Sequence, residues 1–515
     1  MLRLLRDGLG VTRENRRPRS IEELALAPIC LDPRLRAHLA AVVGNEHARD
    51  DQEARVRHAG GKSTLDLLAV RSGQPLPAPD LVLAPATHEE VLDLLVRCTD
   101  EQIAVVPFGG GTSVVGGLTP EADGFRGVVA LDLGRMNALV SLDAESRVAR
   151  VQPGLRGPEA EALLGAEGWT IGHFPQSFEF ATLGGFAAAR SSGQASAGYG
   201  RFDELVVALR TATPTGTLTL GRAPKSAAGP DLRQLILGSE GSLGVITELS
   251  VALSPAPEQR RYEGWRFVSF AQGTAAVRSL AQDGPRPTVL RLSDEAETAL
   301  GLARPEQLGS GDGGALAIGG FEGRADTVAS RAEAAGEALR AAGAQPVNGA
   351  GDDWSRGRFA GPYLRDALID AGALVETLET AGFWSELPGL YTAVAGAVRD
   401  SLTAYGTPPV ILCHISHVYS TGASLYFTVA CAQGADPRAQ WHQVKRAALT
   451  AILDSGASIS HHHGVGRDHR PGLEGEIGAL GLAALSALKR ELDPAGILNP
   501  GILLAPQPVS GARDD

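Results

Sequence analysis

The chain has 515 residues, 43% hydrophobic and 21% charged, a globular mixture too apolar for disorder and too even for a coiled coil. Its 47 Lys+Arg against 59 Asp+Glu leave a net charge of −12, and aromatics make up only 5%, which excludes a protein built to grip nucleic acid or stack on bases. Four cysteines without paired or zinc spacing argue against a disulfide framework, and no apolar run reaches signal-peptide or membrane-span length, so a cytoplasmic protein is expected.

Residues 1–77 are arginine-rich and read as an N-terminal extension of short helices and loops, ending near Pro75, Pro77 and Pro79. Within it Gly61-Lys62-Ser63 imitates the end of a phosphate-binding P-loop. That pattern needs a glycine where Val56 stands and an apolar strand in front, so no nucleotide site is predicted there. From Leu81 the pattern is clearer. Leu81-Val82-Leu83 is a short strand, Thr87 to Glu90 reads as a capping box, and Val91, Leu94, Leu95 and Cys98 follow at helical spacing. A second strand over 103–106 completes a βαβ unit whose strands should run parallel. It leads directly into Pro107-Phe108-Gly109-Gly110-Gly111-Thr112-Ser113. Further strands are predicted over 127–131, 148–151, 205–211 and 244–253, with a boundary at 257. Residues 258–450 mix strands and helices, including an alanine-rich helix over 325–342 and a patternless loop over 309–314. A helix over 440–456 leads into a C-terminal segment, 451–505, that contains Ser460-His461-His462-His463-Gly464. Residues 506–515 are predicted to be a disordered tail.

Three glycine-rich segments share one physical logic. Three consecutive glycines strip side chains from a turn that must approach something closely, and successive free amides can cup a diphosphate. The second segment is Gln176-Ser177-Phe178-Glu179-Phe180-Ala181-Thr182, continuing to Ala189-Arg190-Ser191-Ser192. The third is Glu240-Gly241-Ser242-Leu243-Gly244-Val245-Ile246. No Gly-x-Gly-x-x-Gly opens a helix after a strand, which counts against a nicotinamide site. In their order behind the βαβ unit, the three segments resemble the FAD-binding domain of the vanillyl-alcohol oxidase/PCMH flavoproteins. That resemblance implies an α+β fold: a two-subdomain FAD-binding domain over 78–257, then an α+β cap domain. The first loop offers Thr112 and Ser113 but no histidine, so non-covalent FAD is expected.

The blocks around Arg291, Arg365, Glu376 to Thr380, Tyr419 and the triple histidine resemble, more narrowly, the alkyldihydroxyacetonephosphate synthase family. By position, the resemblance makes Tyr419 the catalytic acid/base and Arg365 a substrate-binding arginine. It also implicates Arg291, His461, His462 and His463 in catalysis. The implied reaction is redox-neutral: acyl-dihydroxyacetone phosphate exchanges its acyl group for a fatty alcohol through a flavin N5 adduct. A lipid-like substrate, a homodimer and peripheral membrane contact follow as expectations. The alternative enzyme is an FAD-linked D-2-hydroxyacid dehydrogenase of the lactate or glycolate type; a flavin-retaining binding protein is the third reading.

The residues themselves set conditions on this chemistry. A tyrosine hydroxyl titrates near 10 and needs a neighbouring histidine or arginine to act as a base. Arg291 and Arg365 clamp an anion only if they converge on one pocket. Three consecutive histidines cannot all face one way in a strand, because a strand alternates sides. The metal-binding blocks of hydroxyacid dehydrogenases are absent, and no metal is expected. A histidine-only set of His414, His417, His462 and His463 would nonetheless be chemically competent.

Overall fold

The computed structural model describes residues 8–11, 19–301 and 313–506. The predicted tail from residue 507 onward, and residues 309–312 of the patternless loop, lie outside the described residues.

The βαβ expectation holds with one addition. Leu81–Leu83 and Ala104–Phe108 are parallel, but Val128–Asp132 lies between them and is parallel to both. Helix His88–Asp100 begins where Thr87 Oγ1 accepts the Glu90 N–H at 3.1 Å. It presents Val91, Leu94, Leu95 and Cys98 to the sheet, each sealed from solvent. This is the i, i+3, i+4, i+7 stripe, and full burial of each large apolar side chain stabilises by about 1.5–3 kcal/mol. The N-terminal extension supplies helices Pro33–Val43, Gln52–Arg57 and Thr64–Ser72. Its strand Ala48–Arg49 also adds an antiparallel edge to Leu81–Leu83. The segment that imitates a P-loop is a helix start: Ser63 Oγ accepts the Asp66 N–H at 3.1 Å, so its hydroxyl is spent on capping.

The second sheet has five antiparallel strands in the order Leu139–Asp143, Val148–Val151, Val245–Ala252, Val206–Thr213, Gly216–Leu220. The three central strands match the expectation. The two edge strands were not anticipated; both are largely exposed and lack an apolar run.

The third sheet is the cap. Seven antiparallel strands run Gln345–Val347, Gln259–Phe267, Ala315–Gly323, Val289–Ser293, Val410–Val418, Gly422–Ala432, Ala373–Phe383. Helices Phe270–Gln282, Ala325–Ala341, Leu387–Ala404 and Pro437–Asp454 pack on one face. The other face looks toward the first two sheets, and the period of two decides which residues it carries. In Val289–Ser293 the core receives Leu290 and Leu292, while Val289, Arg291 and Ser293 line a cavity. Neighbouring strands add Ile318, His414, Tyr426, Thr428 and Thr377 to the same face.

After Pro437–Asp454 the chain makes the histidine turn, enters helix Leu473–Leu492 and returns to the first sheet. There Val105 N–H donates to Ile497 O and Asn499 N–H to Val105 O, both at 2.8 Å. The buried Lys489 ammonium fixes this return, reaching Asp493 at 2.6 Å and the carbonyls of Ser242 and Leu498 at 2.7 Å. Helix and third glycine-rich loop are thereby tied together. No helix among the described residues is long and apolar enough to cross a membrane.

Candidate active site

A cavity of about 1760 Å³ lies between the first two sheets and the cap. Single small-molecule pockets occupy roughly 300–1,000 Å³, so this one has room for a cofactor and a second ligand. Every residue from Pro107 to Ser113 lines it, as do Gln176, Ser177, Glu179, Phe180, Ala181, Thr182, Ala189, Ser191 and Ser192. From the third loop come Glu240, Gly241, Gly244, Val245 and Ile246. Four of the expected cofactor residues turn away and shape the wall from behind. Phe178 packs on Phe174 and Phe359, and Leu243 is sealed in the core. Arg190 donates to the carbonyls of Leu237 and Gln234. Ser242 Oγ donates to Ser239 O.

The glycines of the first loop make the close approach that was expected, and one partner is the second loop. A Cβ on Gly109 would stand 2.5 Å from Thr182 Oγ1, and one on Gly110 2.0 Å from the Phe180 carbonyl oxygen. Gly111, at φ +68°, then turns the chain into the cavity wall.

The triple histidine is held by one carboxylate. Glu379, on strand Ala373–Phe383 with its side chain fully buried, accepts the N–H groups of His461 at 2.5 Å, His462 at 3.2 Å and His463 at 2.9 Å. It also accepts the Ser460 hydroxyl at 2.8 Å. Burial pushes the Glu379 carboxyl up, but the three histidines and these bonds prevail and hold it well below the usual carboxylate range. The following turn docks on the third flavin loop: Glu240 accepts the N–H groups of Val465 at 2.9 Å and Gly466 at 2.8 Å. Burial nonetheless raises the Glu240 carboxyl to about 7.

From this turn a hydrogen-bonded line runs through the protein. The Tyr419 hydroxyl is 2.7 Å from His461 Nε2, and His461 Nδ1 is 2.9 Å from His462 Nδ1. His462 and His463 line the cavity; Tyr419 and His461 stand behind them. The three histidines therefore face different ways, as the sequence required. Burial raises the Tyr419 phenol, while contacts from Arg201 and Ser192 pull it down. Arg201, itself largely buried beside Asp203, carried no signal in the sequence. His417 lies against both rings, 5.0 Å from those of His461 and His462, and its Nδ1 meets Ser192 Oγ at 3.0 Å and Ser196 Oγ at 2.8 Å. Burial holds His417, His461 and His463 well below the ordinary histidine range, with their neighbours' charges second. Ring nitrogens of His417, His461 and His462 gather within 4.8 Å of one another. This trio shares His417 and His462 with the four-histidine set considered from sequence and has His461 where that set has His414 and His463.

The two arginines share the cavity but not one partner. Arg365 donates to Lys62 O at 2.6 Å, and its buried Nε has no partner. Arg291 is engaged inside the cap, with Nη2 2.7 Å from Glu297 Oε1. Arg365 thus keeps one buried donor, Nε, that an anion would satisfy.

An α+β cradle of two sheets, capped over a cavity lined by three glycine-rich loops, is the architecture of a flavoprotein. Residues 79–221 match the model of the FAD binding domain, and residues 256–503 that of the C-terminal domain of FAD linked oxidases. The alkyldihydroxyacetonephosphate synthase of Dictyostelium discoideum is 34% identical over 506 residues, covering 94% of this chain and 83% of that protein. The synthase of Trypanosoma brucei brucei is 33% identical, covering 92% and 80%. A solved alkyldihydroxyacetonephosphate synthase structure superposes with a TM-score of 0.81 at 32% identity, covering 97% of this chain and 92% of its own. The chain belongs to the FAD-linked oxidase family of PCMH/vanillyl-alcohol oxidase type, among its alkyldihydroxyacetonephosphate synthase-like members.

Proposed function

We propose that the protein exchanges the acyl group of an acyl-dihydroxyacetone phosphate for a fatty alcohol without net oxidation, using non-covalent FAD. The observation that carries this reading is the line Tyr419–His461–His462, which connects a phenol to the cavity wall through two hydrogen bonds. Bound FAD would supply the electron-accepting ring that activates the substrate carbon. The chain's own residues bind and move protons. His462, at the cavity wall, receives the proton from the reacting carbon and passes it through His461 to Tyr419, the acid/base at the inner end of the line. Arg365, with its unpartnered Nε, receives the phosphate. Phe180, Tyr363 and Leu364 line the same cavity yet remain about half exposed, which suits a lipid chain entering from a membrane surface. Non-covalent attachment is supported by the first loop's lack of histidine. The nearby His58 has both ring nitrogens occupied, by Ala54 O at 2.8 Å and Asp132 at 3.2 Å.

Holoprotein mixed with palmitoyl-dihydroxyacetone phosphate and hexadecanol should release palmitate and form the ether with no electron acceptor. Flavin reduction by D-lactate or D-2-hydroxyglutarate, with no ether formed, would instead establish the dehydrogenase alternative. Acid precipitation should leave all yellow colour in the supernatant; flavin in the washed pellet would refute the non-covalent reading.

A further inference from the structure

The cavity face of the cap carries a second acid–base cluster that shares no hydrogen bond with the Tyr419 line among the described residues. Strands Val289–Ser293 and Val410–Val418 are neighbours, with Ser293 opposite His414. Helix Glu295–Gly301 follows the first of these strands and brings Glu297 over the pair. Its two carboxylate oxygens lie 3.1 and 3.0 Å from His414 Nδ1. Arg291 Nη2 is 2.7 Å from the same carboxylate and 3.0 Å from the same ring nitrogen. The His414 ring is stacked on Tyr426, centroids 4.8 Å apart and planes 20° from parallel. His414, Glu297 and Arg291 all line the cavity.

Nδ1 faces both an acceptor, the Glu297 carboxylate, and a donor, Arg291 Nη2. The guanidinium has that carboxylate at 2.7 Å as its own acceptor, so the ring proton is assigned to Nδ1, toward the carboxylate. The other nitrogen of His414, Nε2, then holds a free lone pair, and no residue among those described bonds to it. A carboxylate that fixes tautomer and orientation while the far nitrogen faces the reaction space is the arrangement of a general base. The exchange reaction needs two such groups. One proton leaves C1 and returns to it as the ether forms, another leaves the alcohol oxygen, and the Tyr419 line serves the first of these.

We propose that His414, held by Glu297, is a second catalytic base of this cavity and takes the proton from the hydroxyl of the incoming alcohol. The role rests on the exchange reading above. The alcohol O–H bond breaks with its proton moving to Nε2, and the oxygen's electron pair forms the ether bond to C1. The acyl oxygen–C1 bond breaks with its pair leaving on the fatty carboxylate, and the imidazolium then releases its proton to water. No electrons are gained or lost overall. The charged groups facing His414 are Arg291, Glu297 and, from the histidine turn, His462. Burial lowers its affinity for a proton and Arg291 lowers it further, while Glu297 opposes both, so the ring is neutral at neutral pH.

The test compares hexadecanol with 2,2-difluorohexadecanol, whose hydroxyl is more acidic and depends less on a base. In the FAD-loaded enzyme His414→Gln should slow ether formation from hexadecanol by about 10²-fold, and the deficit should shrink to about tenfold or less with the fluorinated alcohol. Glu297→Gln should slow it less. Without the carboxylate the imidazole is a weaker base, so the acid limb of the kcat/KM profile should move to lower pH. Equal losses with both alcohols, or no loss, would overturn the assignment. If His414→Gln fails to retain FAD, the Glu297→Gln profile decides, and an unmoved acid limb refutes it. Native enzyme that makes no ether from either alcohol overturns the functional reading itself, a result visible before any variant is made.

Discussion

Glu379→Gln is the perturbation that most directly tests how the site is built. The carboxylate accepts four donors: Oε1 takes the Ser460 hydroxyl and the N–H groups of His462 and His463, and Oε2 takes that of His461. A glutamine has the same shape but one acceptor oxygen, and its NH2 must point at one of these donors. With the amide oxygen on the Oε1 side, the His461 N–H is left buried without an acceptor, which costs about 1–3 kcal/mol. The other three bonds lose charge assistance, about 1 kcal/mol each. Relief from burying a charge returns part of this. The net is about 2–4 kcal/mol, directed at one turn rather than the whole chain. At 1.4 kcal/mol per factor of ten, local opening should become roughly 30- to 1,000-fold more frequent. Hydrogen exchange of peptides spanning residues 460–466, read by mass spectrometry, measures it.

The pH dependence adds a signature. Glu379 is depressed well below its ordinary range, so its contribution is complete above about 4.5 and disappears as pH falls through its folded value. His461 and His463 are also depressed, so their preference for the neutral form adds an acid weakness that begins at about 6.5 and grows as the pH falls toward their folded values. The variant should keep the histidine part and lose the carboxylate part. Unchanged exchange in the variant, at neutral pH and below 4.5, would refute the anchoring role of Glu379.

Tyr419→Phe should keep the fold and FAD but lose about 10²–10⁴-fold in turnover, measured on the holoenzyme; unchanged turnover would remove Tyr419 from the mechanism. Arg201→Gln removes the guanidinium that favours the phenolate. The phenol should then hold its proton to higher pH, moving the acid limb of the kcat profile upward, and an unmoved profile would show that Arg201 does not tune Tyr419. The cluster of His417, His461 and His462 is close enough for a cation to be tested for. Activity is expected to survive exhaustive chelation, and stoichiometric zinc or manganese whose removal abolishes turnover would refute that.

The flavin subdomains were largely legible because their signals are local. A capped helix with one apolar stripe, and short apolar strands running into glycine turns, are written in consecutive residues. Leu139–Asp143 and Gly216–Leu220 escaped because edge strands, exposed on one side, need no apolar run. Even the strand order of the βαβ unit was only half visible. Nothing local to Leu81–Leu83 or Ala104–Phe108 says that Val128–Asp132 will be inserted between them.

The cap shows where a single sequence stops and why. Alternation along Val289–Ser293 assigns Arg291 and Ser293 to one face, and alternation along Val410–Val418 does the same for His414. Which strands are adjacent is a separate fact, carried by the whole sheet. Only the observed order places Ser293, His414, Tyr426 and Glu379 in one cross-strand row. That row explains why a glutamate 82 residues upstream can hold the His461 N–H. It also explains why Arg291, implicated in catalysis from the sequence, meets Glu297 and His414 where it lines the cavity. Residue types named the available chemistry. The pairing of strands decided that Arg291 meets Glu297 and His414 at the cavity wall.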